Sequence, residues 1–439
     1  MKRSVWKKLI EWKDKGDRKP LILKGPRQVG KTYILQAFGQ ECFPCFHYVN
    51  FEKDEQLAKL FEKNLDPKRI IQELNFYLDT SIDTGNDLLV FDEIQHCPRA
   101  LTSLKYFQEE LRELALCAAG SLLGIHLGNE SFPIGKVEFL SMHPMSFEEF
   151  LRGVGDNKSF DFFTNYKSGD SIPEIVHSHL WDQLKIYFVV GGLPEVVQAY
   201  ADNKDNLFTA LNLVRNKQEN LIAAYNADMA KHSGKQNAMH IDRLWRHVPA
   251  QLAREQNGSA TKFKFKGIIP GIKGYSKLSG TIDWLQTEGL IIKVHIVNSG
   301  NLPFSAYIKE NYFKLYLFDV GILSAISKLP PKTILDYEYG SYKGYFAENF
   351  VAQEFLFSGV EEIYSWREKT AEVEFLREVE GNVLPVEIKS GWVTQAKSLK
   401  VFAEKYKPIY KTVMSANNLY FDQDNKICRY PLYMASRFP

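Results

Sequence analysis

The chain has 439 residues, 45% of them hydrophobic and 25% charged, with 55 Lys and Arg set against 53 Asp and Glu. That length exceeds one compact core, so two or three domains are expected. The net charge of +2 excludes a nucleic-acid binder that works by bulk charge alone, while leaving room for a local basic patch. No apolar run reaches the roughly 18 residues of a membrane span, and no apolar segment follows the basic start Met1-Lys-Arg-Ser-Val-Trp-Lys-Lys, so neither a membrane helix nor a secretory signal is expected. Five cysteines do not make a disulfide scaffold. Cys42-Phe-Pro-Cys45 has redox or zinc spacing, but no second pair or His cluster completes a site, and free thiols in a cytoplasmic protein are the reading adopted.

In chain order, the first third alternates apolar strand-like runs with helical patterns, the mark of α/β architecture. Pro20–Leu23 reads as a buried strand and Thr32–Gly39 as the helix after it. His47–Phe51 is a second strand, and Asp54–Leu65 and Pro67–Leu78 are helical. Leu88–Phe91 is a continuous apolar run ending in acid, as in a central parallel strand. Leu101–Leu114 is an amphipathic helix, followed by strands at Leu116–Ala119 and Val137–Leu140. Ser146-Phe-Glu-Glu149 opens a helix with a capping box. From Ile175 to Ala230 the chain is helix-rich, broken at Gly191-Gly-Leu-Pro194. Helices at Ile241–Arg254 and Ser276–Gly289, then a β segment at Leu290–His295, outline a winged helix-turn-helix. A helix at Phe346–Leu356 precedes strands at Ile363–Arg367, Glu372–Leu376 and Leu384–Lys389, with a hairpin turn at Gly381-Asn382 and a closing helix at Ser398–Lys405.

Two motifs carry the chemistry. Gly25-Pro26-Arg27-Gln28-Val29-Gly30-Lys31-Thr32 fits the phosphate-loop template G-x-x-x-x-G-K-[ST] between a predicted strand and a helix, with Tyr33 next in line. Glycines let backbone amides turn about phosphates, and the helix start adds positive potential. Lys31 would reach the β- and γ-phosphates of ATP, and Thr32 would hold Mg²⁺. Asp92, at the end of Leu88-Leu-Val-Phe, would support the Mg²⁺ shell, and Glu93 would activate the attacking water. Ser121 follows a strand and either reads the γ-phosphate or caps a turn. Lys136 is read as a solvated lysine in preference to a charge neutraliser near the phosphates.

With these residues in place, the chain resembles the bacterial and archaeal AAA-type ATPases that carry a C-terminal domain of unknown function, DUF4143. The resemblance rests on Lys24–Thr32, Phe91-Asp-Glu-Ile-Gln95, Gly120-Ser121, Pro144-Met-Ser-Phe-Glu-Glu-Phe150, Gly191-Gly-Leu-Pro-Glu195, Lys314-Leu-Tyr-Leu-Phe-Asp-Val-Gly321, Glu348-Asn-Phe-Val351 and Val386-Glu-Ile-Lys-Ser-Gly391. It implies a P-loop AAA+-type core over 1–155, a helical lid over 156–235, a winged-helix segment over 236–335, and a domain like a PD-(D/E)XK nuclease over 336–439. An arginine is usual in this family after the glycine that Gly135 matches, and Lys136 stands there instead, without the bidentate fork. AAA-type cores commonly complete their sites with a neighbour's arginine, which makes a homo-oligomer plausible and draws attention to Arg99 and Arg112.

Glu348, Glu374, Glu387 and Lys389 form the second candidate site. Glu387 and Lys389 share one strand face, Glu374 lies on the strand expected to pair with it, and Glu348 on the preceding helix. Three carboxylates and a lysine suit one or two Mg²⁺ ions and phosphodiester cleavage. The resemblance places Asp where Glu374 stands, and the extra methylene strains such a site. Cleavage of DNA, binding without cleavage, and a charged strand face unrelated to either remain the alternatives for this site, and a C-terminal half that docks a protein partner is a second reading of the chain. Thr261-Lys-Phe-Lys-Phe-Lys266, with Lys273 and Lys277, is either a phosphate-and-base-binding stripe or a strand with one solvated and one buried face. The helix Ser276–Gly289 carries Lys277, Asp283 and Glu288, a mixture of signs that argues against strong major-groove binding.

Overall fold

The computed structural model describes residues 3–121, 132–167, 170–233, 235–254, 262–392 and 397–439, without the side chains of 232–236 and 252–254. Met1 and Thr261 lie outside the described residues. Two compact units emerge, Met1–His143 and Pro144–Pro439.

The first unit runs α1 (Val5–Lys13), β1 (Leu21–Lys24), α2 (Lys31–Cys42), β2 (Phe46–Asn50), α3 (Gln56–Lys59), α4 (Pro67–Tyr77), β3 (Leu88–Asp92), α5 (Pro98–Glu110), β4 (Ala115–Gly120) and β5 (Glu138–Ser141). Its five strands are all parallel in the order β2-β3-β4-β1-β5. The inner strands β3 and β4 are buried at every residue, as helices on both faces require, whereas the edge strands β2 and β5 alternate. One face is closed by Phe51, Phe61, Phe91 and Phe107, which meet edge to face at 5.5–6.1 Å.

The expected helix Asp54–Leu65 shrinks to the four residues of α3. Local side-chain bonds compete with helix on both flanks: Asp54 Oδ1 accepts from the Gln56 amide at 2.9 Å, and Arg69 Nη2 donates to the Leu60 and Asn64 carbonyls at 2.7 Å each. Helix α5 starts earlier than expected, because Pro98 sits at its first turn, where no amide is needed.

The second unit runs α6 (Phe147–Gly153), α7 (Asn157–Asn165), α8 (Glu174–Val190), α9 (Pro194–Ala201), α10 (Leu207–Ser233), α11 (Lys235–Arg254), α12 (Ser279–Thr287), β6 (Ile291–Val297), β7 (Ile308–Leu317), α13 (Val320–Ile326), α14 (Pro331–Leu335), α15 (Tyr342–Phe357), β8 (Ile363–Glu368), β9 (Ala371–Val379), β10 (Asn382–Ile388), α16 (Lys397–Tyr406), β11 (Lys411–Ser415), β12 (Tyr420–Asp422) and β13 (Ile427–Pro431). Its eight strands are ordered β12-β13-β11-β10-β9-β8-β6-β7. The capping box of α6 is present in both directions, with Glu149 N donating to Ser146 Oγ at 3.2 Å and Ser146 N donating to Glu149 Oε2 at 3.3 Å. Helix α15 is buried from Tyr345 to Phe355, so it runs as an interior helix.

Helix α11, helix α12 and the antiparallel pair β6–β7 follow one another as a winged segment would. The pair is not a free wing, however. Strand β6 also pairs in parallel with β8, register Val294↔Ile363, so the expected boundary at 335/336 runs through a continuous sheet. Five of the seven residues of β6 are buried, as suits a strand in the interior of a sheet covered on both faces.

The breaks in the helical region are held by polar bonds. Gly191, at φ 74°, ends α8, and a Cβ there would lie 2.3 Å from Asp319 Oδ1. Asp319 accepts from the Gly192 amide at 2.7 Å and caps α13 through the Ile322 amide at 2.9 Å. Gln353 Nε2 donates to Tyr187 Oη at 2.6 Å, and Gln353 Oε1 accepts from the Val320 amide at 3.0 Å. Asn349 exchanges two bonds with the Leu317 backbone at 2.8 Å, and Glu354 accepts from the Phe147 amide at 3.0 Å.

Candidate functional site

The carboxyl ends of β1, β3 and β4 place one group of residues together. Between β1 and α2 the loop Gly25–Gly30 is braced from below: Pro26 and Val29 are buried, and a Cβ on Gly25 would meet the Met142 carbonyl oxygen at 2.0 Å. Gln28 and Gly30 take left-handed φ of 66° and 91°, the conformations with which a loop curls its amides about an anion. Arg27 is half-buried, and Gln28 and Tyr33 face outward. Arg3 donates to the Val29 carbonyl at 2.9 Å and to the His143 carbonyl at 2.7 Å, a brace with no motif to announce it. Lys31 is buried and donates to the Gly25 and Pro26 carbonyls at 2.8 Å each, which folds its ammonium back over the loop.

Thr32 Oγ1 donates to Asp92 Oδ2 at 2.8 Å. The same oxygen accepts from Tyr48 Oη at 2.6 Å, and Tyr48 Oη accepts from Asn50 Nδ2 at 3.1 Å. Tyr48 escaped the sequence reading because it lies on β2, outside either motif. Burial pushes its phenol up to about 12, so it stays a donor. Glu93 adopts a left-handed φ of 50°, and its Oε2 accepts from Gln95 Nε2 at 2.5 Å. Ser121 follows Gly120, which is level with Lys24 across β1–β4; its hydroxyl is buried with no hydrogen-bond partner among the described residues. These groups fit a nucleotide: an anion cradle, a lysine, a hydroxyl–carboxylate pair of the kind that holds Mg²⁺, and an orphaned buried hydroxyl.

Other first-unit residues are elsewhere. Lys136 precedes β5 at the opposite, amino edge of the sheet, where it pairs with Glu109 at 3.0 Å, so it does not neutralise phosphates here. Arg99 Nε donates to the Phe61 carbonyl at 2.6 Å, and Arg112 is exposed. Cys42 is half-buried and Cys45 exposed, both as free thiols. Glu52, Glu93 and His96 draw within 4.8 Å of one another, the one such group of potential metal ligands among the described residues.

In the second unit Glu348, Glu374, Glu387 and Lys389 do converge, on α15, β9 and the end of β10. Glu348, Glu374 and Glu387 are 2–4% exposed. Lys389 Nζ lies 2.7 Å from Glu387 Oε1, and Glu374 Oε2 accepts from the Ile388 amide at 3.1 Å. Burial holds Glu387 above the usual carboxylate range, and Glu374 adds to the rise. Burial does the same to Glu348, opposed in part by Lys314. Three further residues complete the cluster and were not anticipated: Lys314 and Tyr316 on β7, and Glu372 on β9. Two strands lie between β7 and β9 in the sheet order, yet Lys314 Nζ is 2.5 Å from Glu372 Oε1, so the sheet curls to bring them together. Their i, i+2 spacing was legible, but not the curl. The arrangement does not suit the Mg²⁺ set expected from Glu348, Glu374 and Glu387. Mg²⁺ keeps several waters in a near-octahedral shell. These carboxylates are buried, Tyr316, the Ile388 amide and Lys389 already engage Glu348 Oε2, Glu374 Oε2 and Glu387 Oε1, and the three do not gather about one point.

The basic–aromatic stretch divides by face. Phe263 and Phe265 pack with Phe313 and Tyr275 at 5.6–6.2 Å, while Lys264, Lys266, Lys273 and Lys277 are exposed. Phe263 is buried and Phe265 half-buried, so the aromatics pack inward while the lysines face out.

A parallel sheet with a phosphate loop after β1 and an acidic pair after β3, one strand apart, defines a P-loop domain of the AAA type. Comparison with known families agrees: an AAA domain matches residues 17–151, a domain of unknown function, DUF8612, matches 182–333, and DUF4143 matches 343–433. The chain thus joins an AAA domain to a DUF4143 domain. No curated protein matches by sequence. Among solved structures, the Walker-type ATPase PABY2304 of Pyrococcus abyssi is 17% identical, covering 73% of this chain and 94% of that one, with a TM-score of 0.47. The RuvB Holliday junction branch migration motor of Thermotoga maritima is 15% identical, covering 65% and 87%, with a TM-score of 0.33. Drosophila ORC bound to DNA is 15% identical, covering 73% and 93%, with a TM-score of 0.30. No helix among the described residues is long and apolar enough to cross a membrane.

Proposed function

We propose that this chain binds ATP with Mg²⁺ and hydrolyses it, and that its C-terminal unit binds a macromolecule without cutting it. The observation that carries the first half is the convergence of Lys31, Thr32, Asp92, Glu93 and Ser121 at the carboxyl edge of one sheet. Mg²⁺ held by Thr32 and Asp92 would neutralise phosphate charge. Lys31 turns from its loop carbonyls to the β- and γ-phosphates. Glu93 orients the attacking water, with Gln95 holding the carboxylate in place. Ser121 donates to the γ-phosphate.

The test is paired. Lys31→Ala abolishes nucleotide binding in a fluorescent-nucleotide titration. Glu93→Gln retains binding and lowers kcat by about 10²–10⁴-fold. Normal turnover in Glu93→Gln removes the water-activating role.

For the second half, DNA is the favoured ligand because four exposed lysines crowd residues 264–277. DNA affinity then falls steeply with salt, and falls less steeply once Lys264, Lys266, Lys273 and Lys277 are replaced by Ala. Absence of DNA binding at low salt instead favours a protein partner under nucleotide control.

A further inference from the structure

The carboxylates of the second unit surround an ammonium group. Lys314 is completely buried, with Nζ 2.5 Å from Glu372 Oε1 and 3.9 Å from Glu348 Oε2. Tyr316, two residues on and so on the same strand face, donates to Glu348 Oε2 at 2.5 Å. Across the cluster Lys389 pairs with Glu387 at 2.7 Å, and Arg367 approaches Glu372 at 3.7 Å. We propose that Lys314 is a tethered cation that stands in the place of a divalent metal, so that the charge of this carboxylate pocket is met without one.

Three physical arguments support this. A buried carboxylate is costly unless a positive charge or donors meet it, and Lys314 meets two. A divalent ion brought to the same oxygens would face the ammonium at ion-pair distance in a low-dielectric interior, where like charges repel strongly. Lysine also supplies what a structural cation would, a compact positive charge, but no exchangeable water for chemistry. The pocket therefore binds its four carboxyl groups into the fold and offers no activated hydroxide. This inference is independent of the ATPase reading, and its test uses the full chain carrying Asp92→Asn, so that the Thr32–Asp92 pair contributes no metal binding, and counts only the metal that substitutions in this cluster change.

Two measurements decide it. In the first, Mn²⁺ is titrated into the Asp92→Asn chain without nucleotide and followed by electron paramagnetic resonance. The expected result is no bound Mn²⁺ that Glu387→Gln or Glu348→Gln removes; bound Mn²⁺ that either removes overturns the proposal. In the second, Lys314→Ala is added. The variant melts at a lower temperature, and Mn²⁺ raises its melting point by more than it raises that of the Lys314-containing chain. Adding Glu348→Gln weakens that Mn²⁺ affinity by about tenfold. A Lys314→Ala chain that Mn²⁺ stabilises no more than the Lys314-containing chain shows a merely structural lysine and overturns the tethered-cation role. If Lys314→Ala does not fold, the first measurement still decides.

Discussion

Tyr48 holds Asp92 from a strand that neither motif touches, and its hydroxyl donates to the same carboxylate oxygen as Thr32 does. Such supporting bonds orient metal-shell groups and tune their basicity. Tyr48→Phe is therefore expected to weaken Mg²⁺ dependence of ATP turnover by about tenfold, with nucleotide binding in the absence of metal unchanged. A Mg²⁺ titration of steady-state ATPase rate checks this, and an unchanged half-saturation point would show that Thr32 alone orients Asp92. The same scale separates look-alike residues. Lys31 and Lys136 both flank glycines in sequence, but only Lys31 stands at the edge where strands end.

At the scale of elements, the family motifs of the second unit are joints. Gly191-Gly-Leu-Pro194 lets α8 stop and α9 begin, and Asp319 ties that break to α13. Gly191 is required twice over, by its φ of 74° and by the approach of Asp319. Gly191→Ala is expected to cost about 2–4 kcal/mol, from the left-handed penalty plus overpacking. Amide exchange reads it locally: protection is lost in α9 and α13 first, and full protection there would mean the joint absorbs a methyl group. Similarly, the β6–β7 pair has the order of a wing, but β6 also pairs with β8 and belongs to the sheet.

For the molecule as a whole, several buried acids titrate in one direction. Burial raises Glu354 to about 8, Glu348 to about 7 and Asp319 to about 6, and Glu387 moves the same way. In each case the folded state keeps a proton that the unfolded state has released. That stabilisation is fully present below the ordinary carboxylate pKa and is lost as pH rises through the folded value. His143, His177 and His295, held low by burial, work oppositely below 6.5. The melting temperature is therefore expected to fall between about pH 6.5 and 8. Glu354→Gln keeps the acceptor for the Phe147 amide and removes the charge, so it raises stability at pH 8 by on the order of 1–3 kcal/mol and leaves pH 5 nearly unchanged. Melting curves at the two pH values suffice, and a Glu354→Gln gain that is equal at both would contradict the buried-charge argument.

Local chemistry was sufficient to bring together the residues of the proposed nucleotide site. Gly25–Thr32 and Asp92-Glu93 are contiguous in sequence, and a parallel sheet delivers the ends of β1, β3 and β4 to one edge, so residue type and strand order together placed Lys31, Thr32, Asp92, Glu93 and Ser121. The capping box and the hairpin of β9 and β10 were legible for the same reason, since each is a bond between near neighbours. The C-terminal cluster was half legible. Period-2 spacing put Glu387 and Lys389 on one face, but nothing in the sequence could bring Lys314 of β7 against Glu372 of β9 across two intervening strands. The curl of the sheet made that contact, and with it set a buried lysine beside the carboxylates where a metal was expected. Distances along the chain decide motifs; which charges meet in the interior is decided only when the sheet bends.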